Sequence, residues 1–105
     1  MTSAYSVIRQ AIIARDQITT TYQGFHREMC PHAIGTKDGR EKALFYQFAG
    51  GSSSGLGPDG SGENWRCVFI DELQNVSVRK GPWHTAPTHS RRQTCIDIVD
   101  VEVTS

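Results

Sequence analysis

The sequence predicts a mostly β domain with one N-terminal helix, its five or six strands forming a small, bent barrel of the SH3 or Sm type. Three observations predict it. Apolar residues recur at helical spacing only near the start, at Val7, Ile8, Ala11 and Ile12. Beyond Asp16 the pattern changes to short runs of alternating or β-branched residues. Those runs are separated by turn-forming clusters of Gly, Pro, Asp and Ser.

The length of 105 residues fits one domain over 1–105. It divides into a helix over 3–15, a barrel over 17–80 and a C-terminal extension over 81–105 with a final strand. Ser3 is placed to cap the helix, whose apolar stripe would lie on a sheet. The first strand covers 17–22, with Ile18, Thr20 and Tyr22 on one face. Gln23-Gly24 supplies a tight turn into a second strand over 25–30, with Phe25, Arg27 and Met29 on one face and Pro31 ending the pairing. A turn over 36–40 leads to a near-continuous apolar strand over 43–49, expected to be covered on both faces.

The Gly/Ser-rich stretch 50–62 reads as a long hairpin loop before a strand over 65–70. One helical turn at 71–74 and a short strand at 75–79 follow. Gly81-Pro82-Trp83 breaks the chain, 87–92 is loop-like, and 94–103 alternates as a last strand.

Charge gives no global attraction to nucleic acid or acidic membranes, because eleven acidic residues balance eleven basic ones. Arg79-Lys80 and Arg91-Arg92 are local basic pairs of the kind that ordinarily face solvent. No apolar stretch approaches the ~20 residues of a membrane span, so no membrane partner is expected. The start lacks the charged and apolar regions of a signal peptide. Three cysteines, Cys30, Cys67 and Cys95, are an odd count; with no secretory signal they predict reduced thiols and a cytoplasmic location.

Chemistry centres on polar residues within the strands. Arg27 and Arg66 both lie on predicted strands, and a buried Arg needs a partner. Two readings are open: a forked site for phosphate or carboxylate, or structural ion pairs with Glu28, Asp71 or Glu72. Tyr46 combines a stacking ring with a hydroxyl, as single-strand nucleic-acid binders use, though it also fits ordinary strand alternation. Gln47 beside it would need partners for its amide if buried.

Cys30 and His32 share a strand face and, with Cys95 or His89, are the metal candidates. Paired zinc-ligand spacings are absent, so no metal or cofactor is expected. Neither Ser52–Ser54 nor the loop glycines form a nucleophile elbow or a phosphate loop, and no catalytic residues are assigned. Trp83 would either cap the open barrel end or stand exposed for a protein partner, and the tail strand would either close the barrel or lie at an edge open to a second copy in a homodimer.

Two segments add a resemblance. Arg27-Glu28-Met29-Cys30-Pro31-His32-Ala33-Ile34 resembles the Arg-x-apolar-x-Pro-x-x-apolar segment of the WYL domain. Arg66-Cys67-Val68-Phe69-Ile70-Asp71-Glu72-Leu73 is similar to that family's Arg-x-apolar-x-apolar-Asp-Arg-apolar segment, with Glu72 where Arg is usual. The Trp-Tyr-Leu triplet is replaced by Ala43-Leu44-Phe45-Tyr46-Gln47-Phe48, and no helix-turn-helix is present. The resemblance covers roughly 3–80. It implies an Sm-like barrel and a regulatory, ligand-sensing role, with a nucleotide or nucleic acid as the ligand. Together with the readings above it gives Arg27, His32, Tyr46, Gln47 and Arg66 as ligand-binding residues.

Overall fold

The computed structural model describes residues 3–51, 55–57, 64–85 and 95–103. Ser52–Ser54, His89, the Arg91-Arg92 pair and most of the Gly/Ser-rich stretch lie outside them.

Helix α1, Ala4–Ala14, begins where Ser3 Oγ accepts the backbone N–H of Ser6 at 3.1 Å. It ends at Arg15, which turns left-handed and donates its N–H to the carbonyls of Ala11 and Ile12. Ile8, Ala11 and Ile12 form its buried stripe.

Six antiparallel strands follow: β1 Gln17–Tyr22, β2 Phe25–Lys37, β3 Arg40–Gly50, β4 Trp65–Phe69, β5 Gln74–Arg79 and β6 Ile98–Glu102. Two hairpins are tight because both central residues have positive φ, Gln23-Gly24 between β1 and β2 and Asp38-Gly39 between β2 and β3. Strand order is β4-β3-β2-β1-β5, with β6 added on β2.

The sheet curls. β4 and β5 stand at opposite ends of the order, which in a flat sheet would separate them by about 19 Å. The link between them holds a 3-10 turn, Ile70–Glu72, and reaches only about 13 Å. No ladder closes the two edges among the described residues, so the sheet is strongly bent but open.

Pro31 does not end its strand. β2 runs through it to Lys37 with Pro31 opposite Phe45, and a register shift falls between Pro31 and Ala33. The reason is a gap on one side of β2: β1 pairs only as far as Met29, and β6 starts pairing only at Ala33. The missing N–H falls at a bulge, where proline is tolerated.

The two faces of the sheet hold different clusters. On the helix face, Ile8, Ala11 and Ile12 pack on Ile18, Met29, Ile34, Ala43, Phe45 and Val68. The opposite face carries Ala33, Leu44 and Ile96, with Trp65, Cys67 and Cys95 beside them. Residues 43–47 are buried throughout, as a strand covered on both faces requires.

The reduced state expected for all three cysteines is overturned. Cys67 and Cys95 form a disulfide, and Cys30 is the free, buried thiol. The partners are 28 residues apart and meet because the tail folds back over the sheet face that carries Cys67. This bond removes the ground for a cytoplasmic location, since such bonds persist mainly in oxidising compartments. No helix among the described residues is long and apolar enough to cross a membrane.

Candidate anion-binding site

Strand register sorts the candidate residues. Arg27 lies opposite Thr20, Gln47 opposite Met29, and Arg66 opposite Phe45. Residues in register share a face, so Arg27, Gln47 and Arg66 all project from the helix face. Tyr46 lies opposite Cys30 and Trp65, on the other side of the sheet, and His32 packs there with it. The structure therefore brings three of the five together and sets two apart.

Arg27 is 2% exposed. Its Nε donates to the carbonyl of Tyr22 at 3.3 Å and its Nη1 to Gln47 Oε1 at 3.2 Å. The guanidinium lies over the ring of Tyr22, 4.8 Å from its centroid, and 5.8 Å from that of Phe25. Every one of these partners is neutral. The three carboxylates that could have neutralised a strand arginine are engaged elsewhere: Glu28 pairs with Arg79, and Asp71 and Glu72 with Arg40.

Burial is the main force lowering the Arg27 pKa, and the positive charge of Arg66 adds to it. An arginine does not deprotonate under such pressure. Its positive charge stays under the surface, made less favourable by a second guanidinium.

Gln47 fixes this arrangement. Its Oε1 takes the Arg27 donor, and its Nε2 donates to the carbonyls of Ala49 and Gly51 at 3.1 and 3.0 Å. The buried amide thus has the partners it needs on both sides. Gly50, with φ of +93°, lets the chain pass: a Cβ there would fall 2.2 Å from the His26 carbonyl. Arg66 donates to the carbonyls of Trp65 and Gly55, both at 3.1 Å, and so reaches the beginning of the Gly-rich segment. Asn64 holds the next glycine through paired bonds with Gly57 N and O. The site is a cationic corner bounded by Gly-rich backbone and by Phe25, which is 38% exposed.

His32 and Tyr46 sit in a packed aromatic cluster. The His32 ring lies 4.8 Å from Trp65 and 4.7 Å from Trp83. Its Nδ1 donates to the Cys30 carbonyl at 2.9 Å, and its Nε2 shares a hydrogen bond with Thr85 Oγ1 at 3.0 Å. Trp83 is half-buried against this ring, in place of the exposed partner surface that was one expectation for it. The same segment is stitched down by Gln17 Nε2 on the Pro82 carbonyl and by the His84 N–H on Cys30 Sγ. No cluster of three metal-ligating side chains occurs among the described residues.

Tyr22 and Phe25 belong to the site although the strand polar residues alone did not mark them. The signal was present: a tight turn at Gln23-Gly24 puts Tyr22 opposite Phe25, two positions from Arg27 on one face. No protein-family model, curated protein or solved structure matches the chain.

Proposed function

We propose that this chain is a WYL-like ligand-binding domain, a small SH3/Sm-like barrel that takes an anionic ligand at Arg27, Gln47 and Arg66. The phosphate of a nucleotide or nucleic acid is the ligand class the resemblance implies. One observation carries the reading: Arg27 is a buried cation whose described partners are all neutral, with a second guanidinium adding to its charge. A structural arginine in this setting ordinarily pairs with a carboxylate. Here an amide occupies that place, so the buried charge has no counter-ion among its described partners, and an anionic ligand would supply one. Phe25 offers an exposed ring for a base beside the phosphate position. The bent sheet, with β4 and β5 joined by one 3-10 turn, supports the barrel.

The test is a thermal-shift screen with sodium phosphate, nucleotides and short single-stranded oligonucleotides on the wild type and Arg66→Ala. A ligand at a hundred times its dissociation constant stabilises by about 2.7 kcal/mol. The expected result is a rise in Tm for the wild type that shrinks or vanishes in a folded Arg66→Ala. An equal rise in both proteins, or none in either, removes this reading.

A second reading has its own observation. β6 carries Ile98, 71% exposed, and Val99, 39% exposed, on a strand that pairs on one side only among the described residues. An apolar edge of this kind suits a second copy or a protein partner. Concentration-dependent mass in solution, unchanged by Arg66→Ala, would favour it.

A further inference from the structure

The tail, residues 95–103, is joined to the rest of the fold in an unusual way. β6 pairs only with β2, at Ala33–Thr36, where β1 has already ended. Gly35 is its seat: a Cβ there would lie 1.9 Å from the Ile98 carbonyl oxygen, so the two backbones touch. The tail gives the main core two residues among the described ones, Val103 within it and the partly buried Val101 packed against it. Ile96 sits in the small second cluster with Ala33 and Leu44. The side chains of β6 face largely outward, and its Asp100 is clasped at the surface by Tyr5 Oη at 2.6 Å and Arg9 Nε at 3.0 Å. Against these modest contacts stands one covalent bond, Cys67–Cys95, from β4 to the start of the tail. Both cysteines are half-buried, so a reductant has a route to them.

We propose that the Cys67–Cys95 disulfide is a redox latch, whose reduction releases residues 95–103 from the β2 edge while α1 and β1–β5 stay folded. The inference is independent of anion binding. The reaction is thiol–disulfide exchange with a dithiol. One thiolate of the dithiol attacks a sulfur of the bond, forming a mixed disulfide and expelling the other cysteine as a thiolate. The second thiol then displaces the remaining cysteine. Two electrons and two protons end on Cys67 and Cys95, and the dithiol leaves as a disulfide. Release bares the backbone groups of Ala33–Thr36 on the side that β6 had paired.

Three features favour partial over global opening. Among the described residues, ten of the eleven buried in the main core lie outside the tail, which adds Val103 and the partly buried Val101 at its margin. The ladders of β1 and β6 take separate stretches of β2, Phe25–Met29 and Ala33–Thr36, so loss of β6 leaves the β1 pairing in place. The ion pair of Asp100 with Arg9 is exposed, where such pairs hold little.

Hydrogen exchange on the full chain, oxidised and in dithiothreitol, decides the matter. The double variant Cys67→Ala/Cys95→Ala serves as the unlatched form without reductant. The amides of Asp97 and Val103, which donate to Thr36 and His32, report the tail. Amides in the β1–β2 ladder report the core. The expected result, in both the reduced and the variant protein, is a loss of tail protection of about tenfold or more with β1–β2 protection retained. Tail protection unchanged by reduction overturns the proposal. So does protection lost together throughout the chain, which would make the bond a staple of the whole fold.

Discussion

A buried charge is defined by what surrounds it, and Arg27 is surrounded by an amide, a carbonyl and two rings. Replacing Gln47 with Glu tests that description directly. The new carboxylate would stand at the Oε1 position, 3.2 Å from Arg27 Nη1, and neutralise it from within. We expect Gln47→Glu to weaken phosphate binding by at least about tenfold, ~1.4 kcal/mol, as read by calorimetric titration. Elsewhere, the Tyr5 pKa is pushed up to about 12, by burial first and then by its bond to Asp100. The folded state thus holds this proton more tightly than the unfolded chain does. Its contribution is fully present below the ordinary tyrosine pKa of 10.0 and is lost as pH rises to about 12. In Tyr5→Phe, that alkaline loss should disappear from a plot of denaturation midpoint against pH. Part of this scale was legible in sequence: Gln47 stands out as an amide in an apolar strand, and Arg27 and Arg66 as arginines on predicted strands. Tyr46 and Gln47 are adjacent in one strand, however, and adjacent strand residues face opposite ways, so one site could not hold both from the same side.

At the scale of elements, local patterns were readable and distant pairings were not. The helix cap at Ser3, the turn at Gln23-Gly24 and the doubly covered β3 follow from short-range rules. The passage of β2 through Pro31 does not, because it depends on where β1 and β6 stop. The Cys67–Cys95 bond likewise has no local signature; two positions 28 residues apart meet only once the tail crosses the sheet. Gly35 is another long-range constraint. Gly35→Ala would drive a methyl group into the Ile98 carbonyl and the Ile96 side chain. It should destabilise the protein by about 1–3 kcal/mol, in the manner of overpacking, with the loss seen first at the amides of β6. A variant as stable as the wild type would show that β6 is not seated as described.

For the whole molecule, a single curved sheet is closed on one face by α1 and on the other by the 81–85 segment and the tail. The disulfide rings the chain from β4 through β5 into that tail. By the chain-entropy model a ring of this size is worth about 3–4 kcal/mol when the ring stays closed in the folded state and opens only in the unfolded one. With the tail released on reduction, the folded core escapes the ring as the unfolded chain does. The main transition in differential scanning calorimetry should therefore fall by less than the ~10 °C that the full ring term would give. The same architecture separates the two proposed sites in space. The cationic corner lies at the Tyr22–Phe25 hairpin end of β2, and the tail is latched at the other end. Anion binding is the central claim, and the Arg27 side chain is its most direct reporter. The measurement is a phosphate titration followed by the Nε–H NMR resonance of Arg27 in the oxidised protein. The account predicts a saturable shift of that resonance, abolished in Gln47→Glu. A resonance that stays still at saturating phosphate, in a chain that remains folded, would contradict it.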